Sequence, residues 1–467
     1  MKAKSVPVAT VALRPWILGG VYAAASGALL ALALPPYDVP LLGFVAFAPL
    51  LAAIFHAPRY AAVPYGLITA CVAGCVLMGL PFTAQNGNDY FALVPFGVFG
   101  AFLGGVLRGA QWLGASRGWT TILGVSSIGV LVEWLAARID FPYMVALALW
   151  RDVPILWLAS WGGVWGLSFL VWMINTAVAQ AWSLRRLTSP FKLLAGALLG
   201  LHALGWLQMS LTPRREPVRV AVVQSHSLLY PELIRQAKAQ GAQIVALPEV
   251  SWDPVPASSA ARAAQLWLIV GYWTDRNSVS LVAPDGSLSE PYYKMYPYGG
   301  EPVSWRPGDP IRTFKSPFGN IGAVICYDTM FTEPCRRQVL NGARLIAVPT
   351  LDPTTPNLAF HHLHAATTTL RAAEHRTPLA RSEYEAGSMI ADEWGRVLAY
   401  ASERNTIAIA DVPLGSGRGT LATYLGDWMV LGYALLLAGV WLRERIRAPR
   451  AASGSHSARN NESSPRP

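Results

Sequence analysis

Long apolar stretches separated by short polar connections fill the first 211 residues, and one more lies near the carboxyl end. A helix needs about 20 predominantly apolar residues to cross the hydrocarbon core of a bilayer. Eight stretches reach or approach that length: 16–34, 41–55, 65–80, 91–113, 119–137, 155–181, 193–211 and 424–442. The pattern predicts a polytopic α-helical membrane bundle of eight spans, of which the second and third are short.

Residues 212–419 have a different pattern, in which short β-branched runs alternate with a helical stretch. Strands predicted at 218–223 and 244–247 flank a helix predicted at 230–240. The Pro284-Asp285-Gly286 turn joins two further strands. An apolar strand at 321–325 ends at Cys326, and a helix is predicted at 331–340. We therefore predict an α/β layered sandwich inserted between the seventh and eighth spans.

The resulting domain boundaries are residues 1–211 for the amino-terminal bundle of seven helices, 212–419 for the inserted domain and 420–445 for the last span. Residues 446–467 form a basic tail, rich in Ser, Asn, Arg and Pro, that we expect to be disordered. The composition, 53% hydrophobic and 14% charged, agrees with a membrane protein rather than a globular one.

The formal charge of +10 raises the question of nucleic acid, but much of the Lys and Arg excess lies in short loops and in the tail rather than on one basic face. If the chain alternates through eight spans, nearly all of these loops fall on one side, which the positive-inside rule makes the cytoplasm. Both termini are then cytoplasmic, and residues 212–419 lie on the opposite side. We expect no nucleic-acid partner.

Three potentially reactive residues follow strands in the inserted domain: Glu249, Lys294 and Cys326. A thiol with a pKa near ~8.5 is mostly protonated at neutral pH, so a carboxylate and an ammonium nearby would supply a proton acceptor and charge stabilisation. At a sharp turn after a strand, the next backbone N–H, that of Tyr327, is free to face a substrate oxygen. Each residue alone is ordinary at a strand end, but their co-occurrence indicates a cysteine acyl-transfer enzyme.

Other residues that suggest chemistry have simpler explanations. The remaining cysteines are expected to pack in apolar surroundings: Cys71, Cys75 and Cys335. A histidine cluster invites a zinc site, which we reject because the chemistry needs no metal: His361, His362 and His364. Glu133 in the fifth span needs a partner in the apolar phase, and we expect Arg138, one turn further on, or a lipid head group.

Motifs along nearly the whole chain resemble those of the apolipoprotein N-acyltransferases, membrane enzymes with a periplasmic nitrilase-like domain. The membrane part shares LALPPYDVPLLGFVAFAPLL from Leu32, VEWL at 132–135, FPY at 141–143 and GGVWGLSFLVWMIN at 162–175. The inserted domain shares PEV with Glu249, YYK with Lys294, ICYD with Cys326, the stretch 364–378 with Arg371 and Glu374, and GTLATYLGDW at 419–428.

The resemblance implies an α-β-β-α nitrilase-like sandwich in which Cys326 is the nucleophile, Glu249 the base and Lys294 the positive partner. Lys294 and the Tyr327 N–H would form the oxyanion hole. Glu301 would be a second functional carboxylate, and Asp328 a shortened supporting acid.

The same resemblance implies a phospholipid acyl donor and a diacylglyceryl-modified apolipoprotein acceptor, without a cofactor. It also implies a monomer in the bacterial inner membrane, with the catalytic domain in the periplasm.

The chain departs from the family pattern around the site. The segments between its strands are shorter, Pro349-Thr350-Leu351-Asp352 replaces a Ser-Asn-Asp-Ala-Trp-type segment, and residues 383–387 replace Asn-Asn-Gly. Two other classes therefore stay open: a membrane-tethered nitrilase-type amidase that passes its thioester to water, and a non-catalytic protein whose inserted domain binds lipid or peptide.

Overall fold

A computed structural model describes residues 13–79, 93–213, 215–299, 301, 308, 311–353, 359–401 and 403–459. The amino-terminal helices are α1 (Leu13–Ala33), α2 (Ala48–Ile54), α3 (Ala62–Leu77), α4 (Val94–Leu113), α5 (Trp119–Arg138), α6 (Val153–Leu156), α7 (Ala159–Ser183) and α8 (Ser189–Leu211). Five segments in the described ranges are long and apolar enough to cross a membrane: Trp16–Ala33, Arg59–Leu77, Trp119–Arg138, Ala159–Ser183 and Ser189–Leu211. Several membrane-capable helices are thus present, and the count of eight spans stays a prediction.

Several predicted spans differ from the helices observed. The stretch at 41–55 divides into a 3₁₀ turn, Pro40–Phe44, and the short α2. The sixth predicted span is α6 followed by α7, and α7 itself is broken at Gly163, whose φ is +65°. Residue 80 of the third prediction and residues 91–92 of the fourth lie outside the described ranges.

The carboxyl-terminal prediction also needs correction. A short helix, α13 (Leu421–Leu425), ends at Gly426 with a φ of +60°, and α14 (Trp428–Arg459) begins after it. The helix α14 extends to Arg459 and so includes residues of the tail that we predicted to be disordered. Residues 460–467 of the predicted tail lie outside the described part of the chain.

The inserted domain contains two six-stranded sheets. The first has the strand order β12-β1-β2-β3-β4-β5, and the second has the order β11-β10-β9-β8-β7-β6. The strands are β1 (Pro217–Gln224), β2 (Ile244–Ala246), β3 (Trp267–Trp273), β4 (Asn277–Val282), β5 (Tyr292–Tyr293), β6 (Phe314–Ser316), β7 (Gly319–Ala323), β8 (Leu345–Pro349), β9 (Leu379–Ser382), β10 (Met389–Ala391), β11 (Val397–Tyr400) and β12 (Thr406–Pro413). The predicted strands at 218–223, 244–247 and 321–325 are confirmed within one or two residues.

The helices of the domain are α9 (Tyr230–Ala239), α10 (Pro254–Ala264), α11 (Glu333–Leu340) and α12 (Ala359–His375). Alternate side chains of the two sheets, among them Val220 and Leu345, form a buried core between them. Apolar side chains of α9 and α10 cover the outer face of the first sheet, and those of α11 and α12 cover the second. This layering is the α-β-β-α arrangement that we expected.

Helix α12 belongs to both halves of the molecule. Leu370 and Ala373 pack into the core of the helical bundle, while Ala372 packs against the second sheet. Glu374 accepts the Val164 N–H at 2.9 Å, beside the break in α7 at Gly163. The domain is therefore anchored on the bundle by apolar packing and by a buried carboxylate.

Glu133 does not pair with Arg138, the first of the two partners that we expected for it. Its carboxylate accepts the indole N–H of Trp172 at 2.6 Å, the hydroxyl of Ser168 at 2.7 Å and the Val145 N–H at 3.1 Å. Arg138 instead forms an ion pair with Asp427 at 3.2 Å. A buried carboxylate is stabilised when hydrogen-bond donors surround it, and these donors come from elements far away in sequence.

Candidate active site

Cys326 begins a 3₁₀ turn, separated from the end of β7 by Val324 and Ile325, and its φ is +49°. Non-glycine residues rarely occupy this left-handed region, which costs about 1–2 kcal/mol, so the surrounding contacts must hold it. The turn, Cys326–Met330, separates the nucleophile from α11, where we had predicted a helix from residue 331. Cys326 is buried. The Tyr327 N–H lies in the first turn of this 3₁₀ helix, where no preceding helical carbonyl accepts it.

Asp328 connects the Cys326 turn to the Lys294 segment. One carboxylate oxygen accepts the Ile325 N–H at 2.9 Å and the Tyr292 hydroxyl at 2.8 Å. The other accepts the Met295 and Tyr296 N–H groups at 3.0 and 2.8 Å. Burial raises the pKa of Asp328 to about 6, although these hydrogen bonds favour its ionised form. The residue is therefore a structural clamp between two candidate catalytic segments.

Lys294, at the end of β5, lies between two carboxylates. Its ammonium nitrogen is 2.9 Å from Glu249 Oε1 and 2.7 Å from Glu301 Oε1. Burial alone lowers the pKa of Lys294, but the negative charges of Glu249, of an ionised Cys326 and of Glu301 more than offset this, so the net shift is upward. Lys294 thus stays cationic, which an oxyanion partner requires.

Glu249 is almost completely buried and has several donors around its carboxylate. Besides Lys294, the Asn277 side-chain amide donates to Oε1 and the Leu351 N–H donates to Oε2 at 2.8 Å. Glu301 also accepts the Tyr298 N–H at 2.9 Å, and burial raises its pKa. The two glutamates and the lysine that we predicted for the site therefore lie together in one cluster.

Burial raises the pKa of the Cys326 thiol well above its ordinary value. The nearby carboxylate of Glu249 raises it further, and the ammonium of Lys294 lowers it. The resting nucleophile is therefore a neutral thiol, and it needs a base when it attacks. Its sulfur lies 3.8 Å from Leu351 O and 3.8 Å from Asp352 Oδ1.

Asp352 is a residue next to the nucleophile whose role our sequence analysis missed. Its Oδ1 is 2.6 Å from His364 Nδ1, and its Oδ2 is 2.6 Å from the Arg381 guanidinium. Burial raises the pKa of Asp352, but the charges of His364 and Arg381 outweigh burial and lower it overall. The sequence signal was its place shortly after the apolar run at 345–348, and the structure shows why this matters: β7 and β8 are parallel neighbours, so residues following them meet at one sheet edge.

The histidine cluster divides between different environments. His364 and His361 are buried near Asp352, whereas the His362 ring bonds the Tyr400 hydroxyl at 2.8 Å. Within the described part of the chain, two groups of side chains have spacing that could hold a metal ion: Cys326, Asp352 and His364, and Asp352, His361 and Glu383. Arg381 already supplies a positive charge to Asp352. That the reaction needs no metal stays a prediction.

Comparisons with known proteins find relatives for both the helical part and the inserted domain of the chain. The amino-terminal domain of apolipoprotein N-acyltransferases matches residues 26–177, and the carbon-nitrogen hydrolase family matches residues 227–420. An apolipoprotein N-acyltransferase of Geobacter metallireducens is 25% identical over 503 aligned positions, which cover 90% of this chain and 94% of that protein. The chain belongs to the apolipoprotein N-acyltransferase family.

Two further relatives match the inserted domain of this family member. Mouse omega-amidase NIT2 is 28% identical over 226 residues, covering 39% of this chain and 80% of the amidase. The crystal structure of an amidase from Nesterenkonia sp. aligns with 20% identity and a TM-score of 0.39, over 47% of this chain and 98% of the amidase.

Proposed function

We propose that this protein transfers a fatty acyl chain from a phospholipid, through a thioester on Cys326, to the α-amine of a diacylglyceryl-modified cysteine in apolipoproteins. The observation that supports this most directly is the convergence of Glu249, Lys294 and Cys326 in a domain that packs on apolar helices. Membership of the family supports the same reaction in the maturation of lipoproteins.

In the first half-reaction Glu249 takes the thiol proton as the sulfur attacks the ester carbonyl of the phospholipid. The tetrahedral oxyanion lies between the Lys294 ammonium and the Tyr327 N–H, and one such donor is worth about 3 kcal/mol of barrier. The carbon–oxygen bond then breaks, Glu249 returns the proton to the departing oxygen, and lysophospholipid leaves. The thioester on Cys326 remains.

In the second half-reaction the neutral α-amine of the apolipoprotein attacks the thioester carbonyl. Glu249 accepts a proton from the attacking nitrogen, the carbon–sulfur bond breaks, and the proton returns to the sulfur of Cys326. The product is an amide. Because the acyl chain waits on Cys326 as a thioester after lysophospholipid has left, the cycle is ping-pong.

The topology that suits this chemistry has eight spans, cytoplasmic termini and the domain at 212–419 on the periplasmic side, in the bacterial inner membrane. The distribution of Lys and Arg supports it. Reporter fusions near Gly319 and at Ala451 test it in intact cells. A cytoplasmic signal near Gly319 together with an exported signal at Ala451 would contradict this orientation.

The decisive experiment is a single-turnover reaction with phospholipid that carries a labelled acyl chain. We expect label on Cys326 as a thioester and then on a diacylglyceryl lipopeptide as an amide. Cys326→Ala should lose both, whereas Cys335→Ala should keep both, because Cys335 is a core thiol whose pKa burial raises to about 12. Label on Cys335 in the wild type would refute the assignment.

An amidase that passes its acyl group to water is the second candidate, supported by the match between the inserted domain and omega-amidase. Small amides distinguish the two functions. Release of ammonia from such amides, with no lysophospholipid formed from membranes, would favour the amidase. Lysophospholipid release that requires Cys326 would favour acyl transfer.

A further inference from the structure

Asp352 and His364 contact Cys326 at two different points. Asp352 Oδ1 lies 3.8 Å from the sulfur, and His364 Nε2 lies 3.1 Å from the backbone carbonyl oxygen of the same residue. The two side chains also contact each other, since His364 Nδ1 is 2.6 Å from Asp352 Oδ1. Both are about 2% exposed, so water competes little for these contacts.

We propose that Asp352 and His364 form an ion pair that positions the nucleophile, with Asp352 accepting the resting thiol's hydrogen bond and a protonated His364 donating to the Cys326 carbonyl. Asp352 touches the reacting sulfur, whereas His364 acts through its partners and is a positioning residue. The inference adds two residues to the cysteine, glutamate and lysine on which the proposed function rests.

The protonation of His364 follows from the atoms around its ring. A carboxylate oxygen of Asp352 faces Nδ1, and a backbone carbonyl oxygen faces Nε2; the carbonyl oxygen and an ionised carboxylate oxygen only accept hydrogen bonds. The Thr329 hydroxyl also lies 2.9 Å from Nε2 and could donate to a neutral ring. It would then no longer donate to the Cys326 carbonyl at 3.0 Å, and the Nε2 lone pair would face that carbonyl oxygen at 3.1 Å. The imidazolium satisfies both contacts, and the Arg381 guanidinium keeps Asp352 ionised.

Among the described residues, the groups that face His364 come from three segments. They are Cys326 and Thr329 of the 3₁₀ turn, Asp352 after β8, and Phe360 on its own helix. The charged and titratable groups around Asp352 are Arg381, His361 and Glu383, and those around Cys326 are Glu249 and Lys294. The positive charge of His364 therefore lies in a cluster that carries several carboxylates.

The contact between His364 and the Cys326 carbonyl helps to hold the backbone of Cys326 in its unusual conformation. Cys326 has a φ of +49°, a conformation that a cysteine adopts only when its surroundings enforce it. Two donors hold its carbonyl, His364 Nε2 at 3.1 Å and the Thr329 hydroxyl at 3.0 Å. Loss of either donor should let the turn relax and move the sulfur away from the attack position.

His364→Asn and His364→Gln separate the two contacts. The amide nitrogen of asparagine can replace Nδ1 and bond Asp352, whereas that of glutamine can replace Nε2 and bond the Cys326 carbonyl. Both variants lack the positive charge. Matched controls are His362→Asn and His362→Gln, because His362 is on the same helix but bonds Tyr400.

The first measurement is alkylation of Cys326 by iodoacetamide between pH 6 and 9, read by mass spectrometry of the Cys326 peptide. Loss of the neighbouring positive charge should raise the pKa of the thiol, so both His364 variants should react about tenfold more slowly at pH 8, with the profile about one unit higher. The His362 controls should stay within about twofold of wild type. Unchanged profiles in both His364 variants would overturn the charged pair.

The second measurement is single-turnover acylation by labelled phospholipid. His364→Asn, which loses the carbonyl contact, should be slower than His364→Gln by about tenfold, with KM unchanged. Thr329→Val keeps the charge and removes the other donor, so it should slow acylation without shifting the alkylation profile. Equal acylation rates in all these variants would overturn the positioning role.

The two measurements show separately whether this inference fails and whether the proposed function fails. Alkylation needs no lipid substrate, so a shifted profile supports the pair even if the wild type forms no acyl thioester. A lower thermal unfolding midpoint with an unchanged alkylation profile in both His364 variants would reduce the pair to a purely structural role and overturn the proposal.

Discussion

Replacement of Asp328 by asparagine tests the clamp between the nucleophile turn and the lysine segment. The carboxylate accepts four hydrogen bonds, from the backbone N–H groups of Ile325, Met295 and Tyr296 and from the Tyr292 hydroxyl. An asparagine side chain offers only one acceptor oxygen. Its amide nitrogen must therefore face donors in either orientation.

The expected loss of stability follows from the less costly orientation of the asparagine amide. If the amide nitrogen replaces Oδ2, it opposes the Ile325 N–H, while the Tyr292 hydroxyl can rotate and accept. One buried unsatisfied N–H costs about 1–3 kcal/mol. The bonds that remain lose their charge assistance, which was worth about 1 kcal/mol in total. We expect Asp328→Asn to destabilise the domain by about 2–4 kcal/mol, which corresponds to a decrease of about 5–15 °C in Tm.

The assay is thermal unfolding of the detergent-solubilised protein, with acylation of Cys326 measured in parallel. Asp275→Asn is the matched control, because its side chain is 84% exposed and its replacement should change Tm by less than about 2 °C. Acylation by the Asp328 variant should fall at least about tenfold, since the clamp aligns Lys294 with the nucleophile. A Tm within about 1 °C of the Asp275 control would refute the reasoning.

Three further predictions follow from the site and from the contact with the bundle. Lys294→Met and Glu249→Gln should each slow single-turnover acylation by about 100-fold or more while sparing phospholipid binding, and losses below about tenfold would assign their roles elsewhere. Gly163→Ala should lower Tm, because the φ is +65° and the new Cβ would lie 3.0 Å from Glu374 Oε1; an unchanged Tm would contradict this. Burial raises the pKa of Asp328 from 3.8 to about 6, so the folded domain binds this proton more tightly than the unfolded chain does. The stability contributed by protonation is complete below pH 3.8 and is lost as pH rises through 6. The stability gap between wild type and Asp328→Asn should therefore widen from pH 7 to pH 5, and a narrower gap at pH 5 would count against this assignment.

The sequence by itself determined which parts of the chain are apolar enough for a membrane and which form strands. Apolar runs predicted helices α1, α5 and α8 closely, since a run of this length must be buried in lipid or protein. The sequence also showed three chemically suitable residues at the ends of predicted strands. Glu249, Lys294 and Cys326 were selected in this way, and the structure brings them into one cluster.

The tertiary structure decided what surrounds those residues. Asp352 faces Cys326 because β7 and β8 pair in parallel, and His364 reaches both because α12 packs over the same sheet. The interaction between Glu133 and Trp172 likewise depends on how α5 meets α7. Contacts of this kind join residues 12 to 39 positions apart, so local periodicity carries no information about them. Only the packing of strands and helices brings these partners together, so the surroundings of Cys326 could not be predicted from its neighbours in the sequence.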